Sequence, residues 1–245
     1  LDRYAPAHPV RFVTATSLFD GHDASIHVIR RILQASGAEV IHLGHDRSVE
    51  EVADAAIQED AQAIAVSSYQ GGHLEYFRYL VDLLRERGAE RIRVFGGGGG
   101  VIVPDEAEAL HAYGVTRIYG PAEGHALGLQ GMIDDMLRRS DFDPVVPIDA
   151  NALAALAAGD FGALARAITA IEAGRLGDDA TAAIAAEAAR HPRVPVVGLT
   201  GTGGAGKSSL MDELVLRFRL DRPEMRIAVV AVDPSSRRRG GALLG

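Results

Sequence analysis

From about residue 10 to residue 139, short apolar runs rich in β-branched residues alternate with stretches in which apolar residues recur at helical spacing. This strict alternation predicts an α/β domain with a mostly parallel sheet covered by helices on both faces. Five strands favour a flavodoxin-like, doubly wound sheet with the strand order 2-1-3-4-5. The predicted strands are residues 11–15, 39–43, 63–67, 91–95 and 117–119, and the predicted helices are residues 24–36, 48–59, 73–87, 104–113 and 124–139.

The pattern divides the chain into three segments. Residues 1–140 form the predicted sheet domain, and residues 141–192 are rich in alanine and predict a linker with two or three helices between residues 151 and 190. Residues 193–245 contain an apolar strand at 194–200, a glycine-rich turn, a helix at 207–220 and a second apolar strand at 227–232. Two strands and one helix cannot bury a nucleotide-binding core, so we expect this second α/β domain to be incomplete.

Composition excludes several classes of function. The 33 acidic residues outnumber the 25 basic ones, which argues against a nucleic-acid-binding protein because such a protein needs a basic face. The chain has no cysteine, so disulfides and thiolate metal sites are excluded. No apolar run approaches the roughly 20 residues that a membrane-spanning helix needs. We expect a cytoplasmic protein with no membrane or nucleic-acid partner.

Three loops with unusual residues are expected to meet at one edge of the sheet. Asp20-Gly21-His22-Asp23 follows the first strand, the segment from Ser67 to His73 follows the third, and Gly96–Gly100 follows the fourth. In a 2-1-3-4-5 sheet these strands are neighbours, and ligands bind at their carboxyl ends beside the point where the strand order reverses. The three loops therefore predict one binding crevice.

The residue types in these loops suit a bulky metal complex. His22 offers an imidazole nitrogen to a metal, and Asp20 can accept the N–H of the other ring nitrogen and so fix the tautomer. Gly21 lets the loop turn without a Cβ, and Ser67 and the glycine run leave room beside the backbone. His42 and His45 lie in and after the second strand and are interpreted as ordinary structural residues. His73 and His125 lie at predicted helix starts near the crevice and stay unassigned.

Other interpretations of the same residues are weaker. An isolated Asp-x-His is common, and a run of glycines is also typical of a flexible loop. A dinucleotide fingerprint is disfavoured because the sixth position counted from Gly96 is Val101 and because the run follows the fourth strand. A phosphorylated response module needs an aspartate that ends the first strand, and Asp20 lies beyond that point.

The three motifs together resemble the Asp-x-His-x-x-Gly, Ser-x-Leu and Gly-Gly signature of B12-binding domains. The resemblance implies that His22 replaces the benzimidazole base of the cofactor as lower cobalt ligand, and that the displaced nucleotide tail inserts between sheet and helices. Ser25 stands where the signature has glycine, and Tyr69 where it has leucine. The implied cofactor-binding residues are Asp20, Gly21, His22, Asp23, Ser25, Ser67, Tyr69, Gly71, Gly97, Gly98, Gly99 and Gly100.

The third segment carries a phosphate-binding loop. Gly201-Thr202-Gly203-Gly204-Ala205-Gly206-Lys207-Ser208 fits the G-x-x-x-x-G-K-[ST] pattern between a predicted strand and a helix. Backbone N–H groups and the helix N-terminus then bind phosphates, Lys207 reaches the outer phosphates, and Ser208 and Asp233 hold Mg²⁺. The predicted nucleotide-binding residues are Gly203, Gly204, Ala205, Gly206, Lys207, Ser208 and Ser209, and Lys207 and Asp233 are assigned to hydrolysis.

Residues 232–245 resemble the switch region of the metallochaperone GTPases that serve B12 enzymes, and GTP rather than ATP is implied by that resemblance alone. The order of B12 domain, helical linker and GTPase resembles the fused isobutyryl-CoA mutase family. This resemblance implies an adenosylcobalamin-dependent enzyme that interconverts isobutyryl-CoA and n-butyryl-CoA. An acyl-CoA-binding barrel would follow residue 245, so we expect no mutase turnover from these residues alone and a homodimer at full length.

Two alternatives stay open at this point. One is a related acyl-CoA mutase, such as one acting on methylmalonyl-CoA, because the barrel sets the choice of substrate. The other is a non-enzymatic corrinoid carrier or chaperone that delivers the cofactor to a separate mutase. A long barrel sequence after the GTPase favours a mutase.

Overall fold

A computed structural model of the chain describes residues 3–191 and 193–231. The chain forms two compact units, residues 1–190 and residues 191–245, and each is described by itself. Asp233, which the sequence assigns to Mg²⁺ and to hydrolysis, lies outside the described residues.

The first unit contains a five-stranded parallel sheet with the order β2-β1-β3-β4-β5, which confirms the predicted fold and strand order. The middle strand, β3, is buried along its whole length, as expected for a parallel sheet covered on both faces. The strands are β1 (Arg11–Ser17), β2 (Glu39–Arg47), β3 (Ala63–Ser67), β4 (Arg93–Gly97) and β5 (Arg117–Tyr119).

Five helices cover the two faces of this sheet. They are α1 (Ala24–Ala35), α2 (Val49–Gln58), α3 (His73–Glu86), α4 (Pro104–Tyr113) and α5 (Pro121–Ser140). Helices α1 and α5 bury Leu33 and Leu137 against Phe12 and Phe95 on one face. Helices α2, α3 and α4 build a larger core on the other face. The two faces therefore have separate cores.

The strand β4 ends two residues later than the sequence pattern indicates. Its register pairs Ala63 with Arg93 and Ser67 with Gly97, so Gly96 and Gly97 belong to the strand rather than to the loop that follows. A Cβ on Gly96 would lie 2.5 Å from the ring of Phe77. Gly96 is thus a packing position under helix α3.

Residues 141–190 form three helices that belong to the first unit: α6 (Ala150–Ala157), α7 (Phe161–Glu172) and α8 (Asp178–Ala189). Helix α7 packs against α2, where Gly162 lies close to the side chain of Ile57. Within the described residues, no single helix is long and apolar enough to cross a membrane; one bent pair, α6 with α7 at 118°, passes by length and composition alone.

The second unit contains helix α9 (Lys207–Asp221). The predicted strands at residues 194–200 and 227–232 are wrong for the described part, because residues 193–231 contain no strand. Their apolar side chains lie largely exposed, with Val196 at 92% and Val230 at 87%. An apolar run becomes a strand only when neighbouring strands and covering helices take up its hydrogen bonds and its side chains, and a single helix cannot provide them.

Candidate functional site

The loops that follow β1, β3 and β4 are tied together at the carboxyl edge of the sheet. The Ser17 hydroxyl donates to the Ser68 hydroxyl at 2.9 Å, and the Ser68 N–H donates to the Gly97 carbonyl at 2.7 Å. The Tyr69 N–H donates to the carboxylate of Asp20. The structure therefore brings together the three loops that the sequence singled out.

The core of the site is a buried carboxylate that holds an exposed imidazole. Asp20 is only 2% exposed, whereas the His22 side chain is 78% exposed. One oxygen of Asp20 lies 2.8 Å from Nδ1 of His22 and also accepts the His22 N–H at 2.9 Å. Because an ionised carboxylate can only accept, Nδ1 carries the proton and Nε2 carries a lone pair. His22 can therefore ligate a metal through Nε2 alone.

The electrostatics of Asp20 keep it ionised. Burial by itself raises the pKa of this carboxyl, but the hydrogen bonds from the Tyr69 N–H, the His22 N–H and the His22 ring outweigh burial and lower the pKa below its usual value. In metal sites an ionised carboxylate that accepts the ring N–H of a histidine fixes the orientation of the imidazole. The same bonds join the loop after β1 to the loop after β3, so a shift in either loop moves the imidazole.

A cavity of about 400 Å³ opens beside these loops, between the sheet and helices α1 and α5. Ser25 and Ser67 join across it through a 3.1 Å contact between their hydroxyl oxygens. Apart from these hydroxyls the walls are mainly apolar side chains and glycine backbone. Of the predicted cofactor-binding residues, the lining contains Ser25, Ser67, Tyr69, Gly97, Gly98 and Gly99.

The apolar walls of the cavity were not predicted from the sequence. Helix α1 contributes three aliphatic side chains, the strands contribute two aliphatic and two aromatic ones, and helix α5 contributes four apolar residues. The glycines of α5 were the one indication of this wall in the sequence: Gly124 lines the cavity, and Gly128, at φ +63°, interrupts the helix. The missed apolar wall residues are Ile26, Val28, Ile29, Ala65, Val66, Phe95, Tyr119, Pro121, Leu129, Met132 and Met136.

The predicted glycines differ in what they do. A Cβ on Gly98 would lie 1.9 Å from the carbonyl oxygen of Ser68, and Gly99 has φ +59° with the Tyr69 ring beside it. These two positions require glycine. Gly21, Gly71 and Gly100 have open space where a Cβ would stand, and none of the three lines the cavity.

Asp23 and the remaining histidines have contacts outside the cavity. The carboxylate of Asp23 lies 3.2 Å from Nε2 of His27, whose ring packs at 4.7 Å on His42. Burial, followed by the charges of Arg30 and His27, lowers the pKa of His42 and keeps it neutral. His73 is buried between the Gln70 carbonyl at 3.1 Å and the carboxylate of Glu106 at 2.9 Å. His45 and His125 do not line the cavity.

The phosphate loop lies in the second unit. Gly204 and Gly206 have φ of +75° and +80°, and helix α9 begins directly after them at Lys207. The Lys207 ammonium donates to the carbonyls of Gly201 at 3.0 Å and Thr202 at 2.8 Å. Ser208 and Ser209 lie exposed in the first turn of α9. The loop therefore surrounds a helix N-terminus, the usual binding place for phosphate.

In the part of the chain that the structure describes, no group of three or more His, Cys, Asp or Glu side chains is arranged to hold a metal ion. A metal that arrives inside a macrocycle already has its equatorial ligands, so it needs only one protein donor. His22 with its Asp20 partner fits that requirement.

Comparison with known proteins defines the class. Residues 10–129 match the B12-binding domain family, and residues 164–245 match the family described as methylmalonyl-CoA mutase-associated GTPase MeaB. The 2-hydroxyisobutanoyl-CoA mutase small subunit of Aquincola tertiaricarbonis is 40% identical over 111 residues, which are 45% of this chain and 79% of that protein. The chain thus combines the cobalamin-binding domain of acyl-CoA mutases with a part of a MeaB-type GTPase.

The particular family follows from similarity along nearly the whole chain. The fused isobutyryl-CoA mutases of Geobacillus kaustophilus and Cupriavidus metallidurans are each 61% identical to it, over 99% and 98% of its length. The chain belongs to the family of fused isobutyryl-CoA mutases. It spans 23% and 22% of the length of these two relatives. The match to the GTPase family begins inside α7, ahead of the segment at residue 193 where the sequence pattern changes.

Proposed function

We propose that the first unit binds adenosylcobalamin with Nε2 of His22 as the lower axial ligand of cobalt. The observation that carries this proposal is the pairing of Nδ1 with the buried, ionised Asp20, which leaves Nε2 as the only basic nitrogen on an exposed imidazole. In metal sites such a carboxylate partner fixes the ring and raises its basicity.

The cavity between the sheet and helices α1 and α5 would hold the displaced nucleotide tail of the cofactor. Its apolar walls suit an aromatic base, and the hydroxyls of Ser25 and Ser67 can bond to the polar part of the tail. Gly98 and Gly99 contribute backbone to the wall, and a Cβ at either position would clash with the Ser68 carbonyl or the Tyr69 ring. The ring of the cofactor would then lie over the carboxyl edge of the sheet, centred on His22.

In the whole protein we propose the reversible conversion of isobutyryl-CoA to n-butyryl-CoA. The names of the relatives, fused isobutyryl-CoA mutases, support isobutyryl-CoA as the substrate. The bound cofactor supplies homolysis of its cobalt–carbon bond, and the protein orients the cofactor and excludes side reactions. The residues described here fix the lower ligand and the tail. The acyl-CoA substrate would be bound by parts of the protein outside this chain. We therefore expect the 245-residue chain alone to be inactive as a mutase.

The second unit would bind GTP with Mg²⁺ and serve as a built-in chaperone for the cofactor. Lys207 would exchange its two carbonyl partners for the outer phosphates of the nucleotide, since an ammonium prefers an anion to a neutral carbonyl. Ser208 follows at the helix N-terminus and would contact the magnesium ion, as Asp233 would. We further propose that the full-length protein is a cytoplasmic homodimer.

Two experiments test this proposal. Titration of the 245-residue chain with hydroxocobalamin should shift the cobalamin absorption to that of a form with the benzimidazole displaced, and an unchanged spectrum would contradict the assignment of the first unit. The full-length protein, loaded with adenosylcobalamin, should convert isobutyryl-CoA in preference to methylmalonyl-CoA. Turnover of methylmalonyl-CoA alone would point to the related mutase, and turnover of neither to a carrier.

A further inference from the structure

Phe19 stands out in the loop that carries His22. Its side chain is 84% exposed, and among the described residues it is the most exposed phenylalanine. Burial of a phenylalanine side chain is worth far more than that of most residues, so an exposed one next to a binding site calls for an explanation. The motifs that predict the B12 site do not include this residue.

The backbone of Phe19 is held in an unfavourable conformation. Its φ is +62°, in the left-handed region that bulky residues rarely adopt. The carboxylate of Asp46, at the end of β2, accepts the Phe19 N–H at 2.7 Å, and Asp46 itself has φ +57°. Strain that the surrounding structure maintains is typical of binding and active sites. The loop therefore holds the side chain in the solvent at a cost.

The position of Phe19 relative to the cofactor site follows from the sheet order. Strand β2 lies on one side of β1, and β3 and β4 lie on the other. The tail cavity is on the β3 and β4 side, whereas the bond to Asp46 anchors Phe19 on the β2 side of His22. Phe19 and His22 are three positions apart in the sequence, so their Cα atoms are at most about 10 Å apart. A macrocycle centred on Nε2 of His22 would extend over both sides.

We propose that Phe19 is a contact residue for the corrin ring and packs against the lower face of the macrocycle on the side opposite the tail cavity. This inference rests on the proposed function, because it needs cobalt above His22. The corrin ring is a flat, conjugated and apolar surface with its amide groups at the rim, so an aromatic side chain complements its face. The strained loop would then present the phenyl group before the cofactor arrives.

The test compares Phe19→Asn and Phe19→Leu in the 245-residue chain, with Phe161→Ala as a matched control on another exposed phenylalanine. Asparagine tolerates positive φ, so Phe19→Asn removes the apolar surface without adding strain. We expect its Kd for hydroxocobalamin to rise about tenfold, as the loss of a partly buried phenyl group implies. Phe19→Leu should retain most of the affinity, and Phe161→Ala all of it.

Cobinamide, which has the ring but lacks the nucleotide tail, locates the contact. If Phe19 touches the ring, Phe19→Asn weakens cobinamide and hydroxocobalamin by the same factor and leaves the cobalt–histidine bond intact. A loss confined to hydroxocobalamin, a loss of the histidine bond, or no loss at all would each overturn the proposal. Failure of the unsubstituted chain to bind either corrinoid would instead refute the proposed function on which it rests.

Discussion

Replacement of Gly98 by alanine should damage both stability and cofactor binding. The added Cβ would lie 1.9 Å from the carbonyl oxygen of Ser68, about 1 Å closer than such atoms approach in proteins. Both partners of this contact are backbone atoms, so no side chain can rotate away. Overpacking of this kind costs about 2 to 3 kcal/mol. For a unit of this size that corresponds to a decrease in Tm of about 5 to 10 °C.

The effect on binding follows from the neighbours of Ser68. The next residue, Tyr69, donates its N–H to Asp20, and Asp20 orients His22. A displaced Ser68 carbonyl therefore moves the ligand imidazole. We expect Gly98→Ala to weaken hydroxocobalamin binding by about tenfold or more, as the loss of a residue that orients a metal ligand does.

Gly100→Ala provides the matched control. No atom lies within 4 Å of the position of its Cβ, and Gly100 does not line the cavity. This variant should keep its affinity and keep or slightly raise its Tm, because alanine restricts the unfolded chain. Thermal unfolding followed by circular dichroism compares the Tm of the two variants, and absorbance titration compares their Kd for hydroxocobalamin. Equal behaviour of the two variants would refute the reasoning.

Three further predictions concern other parts of the chain. The pKa of Asp141 is lowered to about 2: burial raises it, but hydrogen bonds from Tyr4, Ala7 and His8 outweigh burial. The ionised carboxylate of Asp141 therefore stabilises the fold above pH 4, and this stabilisation is lost as the pH falls towards 2. Asp141→Asn should make the free energy of unfolding, followed by fluorescence, less dependent on pH in that window. An unchanged dependence on pH would contradict this. A chain truncated after residue 148 should bind hydroxocobalamin with unchanged Kd, because it keeps every residue that lines the cavity. It should unfold at a lower temperature, because it loses the packing of α7 on α2. Weaker binding would show that the linker helices complete the site. Lys207→Ala in the full-length protein should abolish GTP binding measured by calorimetry, and retained binding would contradict the assignment of the phosphate loop.

The sequence predicted the sheet order and the meeting of the three loops because strict strand–helix alternation leaves few alternatives for a parallel sheet. It could not predict the cavity walls. Met132 and Met136 are ordinary apolar residues of an amphipathic helix, and only the packing of α5 against the sheet turns them towards a cavity. The sequence pattern also could not predict where β4 ends, because glycine is a poor strand residue. Glycine is needed at position 96 because Phe77 and Ile118 leave no room for a side chain there.

The predictions failed in the second unit for a different reason. Residues 194–200 and 227–232 have the composition of buried strands, but a strand depends on partners distant in sequence. Helix α9 and its glycine loop need only local hydrogen bonds, so they form as predicted. Phe19 was missed because neither its exposure nor its positive φ is readable from the residue type.

Paramagnetic resonance of the Co(II) form, with ¹⁵N-labelled histidine in the protein, tests the central claim most directly. The bound cofactor should show coupling of cobalt to one protein nitrogen, and His22→Ala should abolish that coupling and weaken binding. Asp20→Asn should keep the coupling while binding falls by about 10 to 100-fold. His42→Ala, which removes a neutral imidazole bonded to Thr14, should leave the spectrum unchanged. A spectrum of His22→Ala identical to that of the unsubstituted chain would contradict the assignment of His22 as the cobalt ligand.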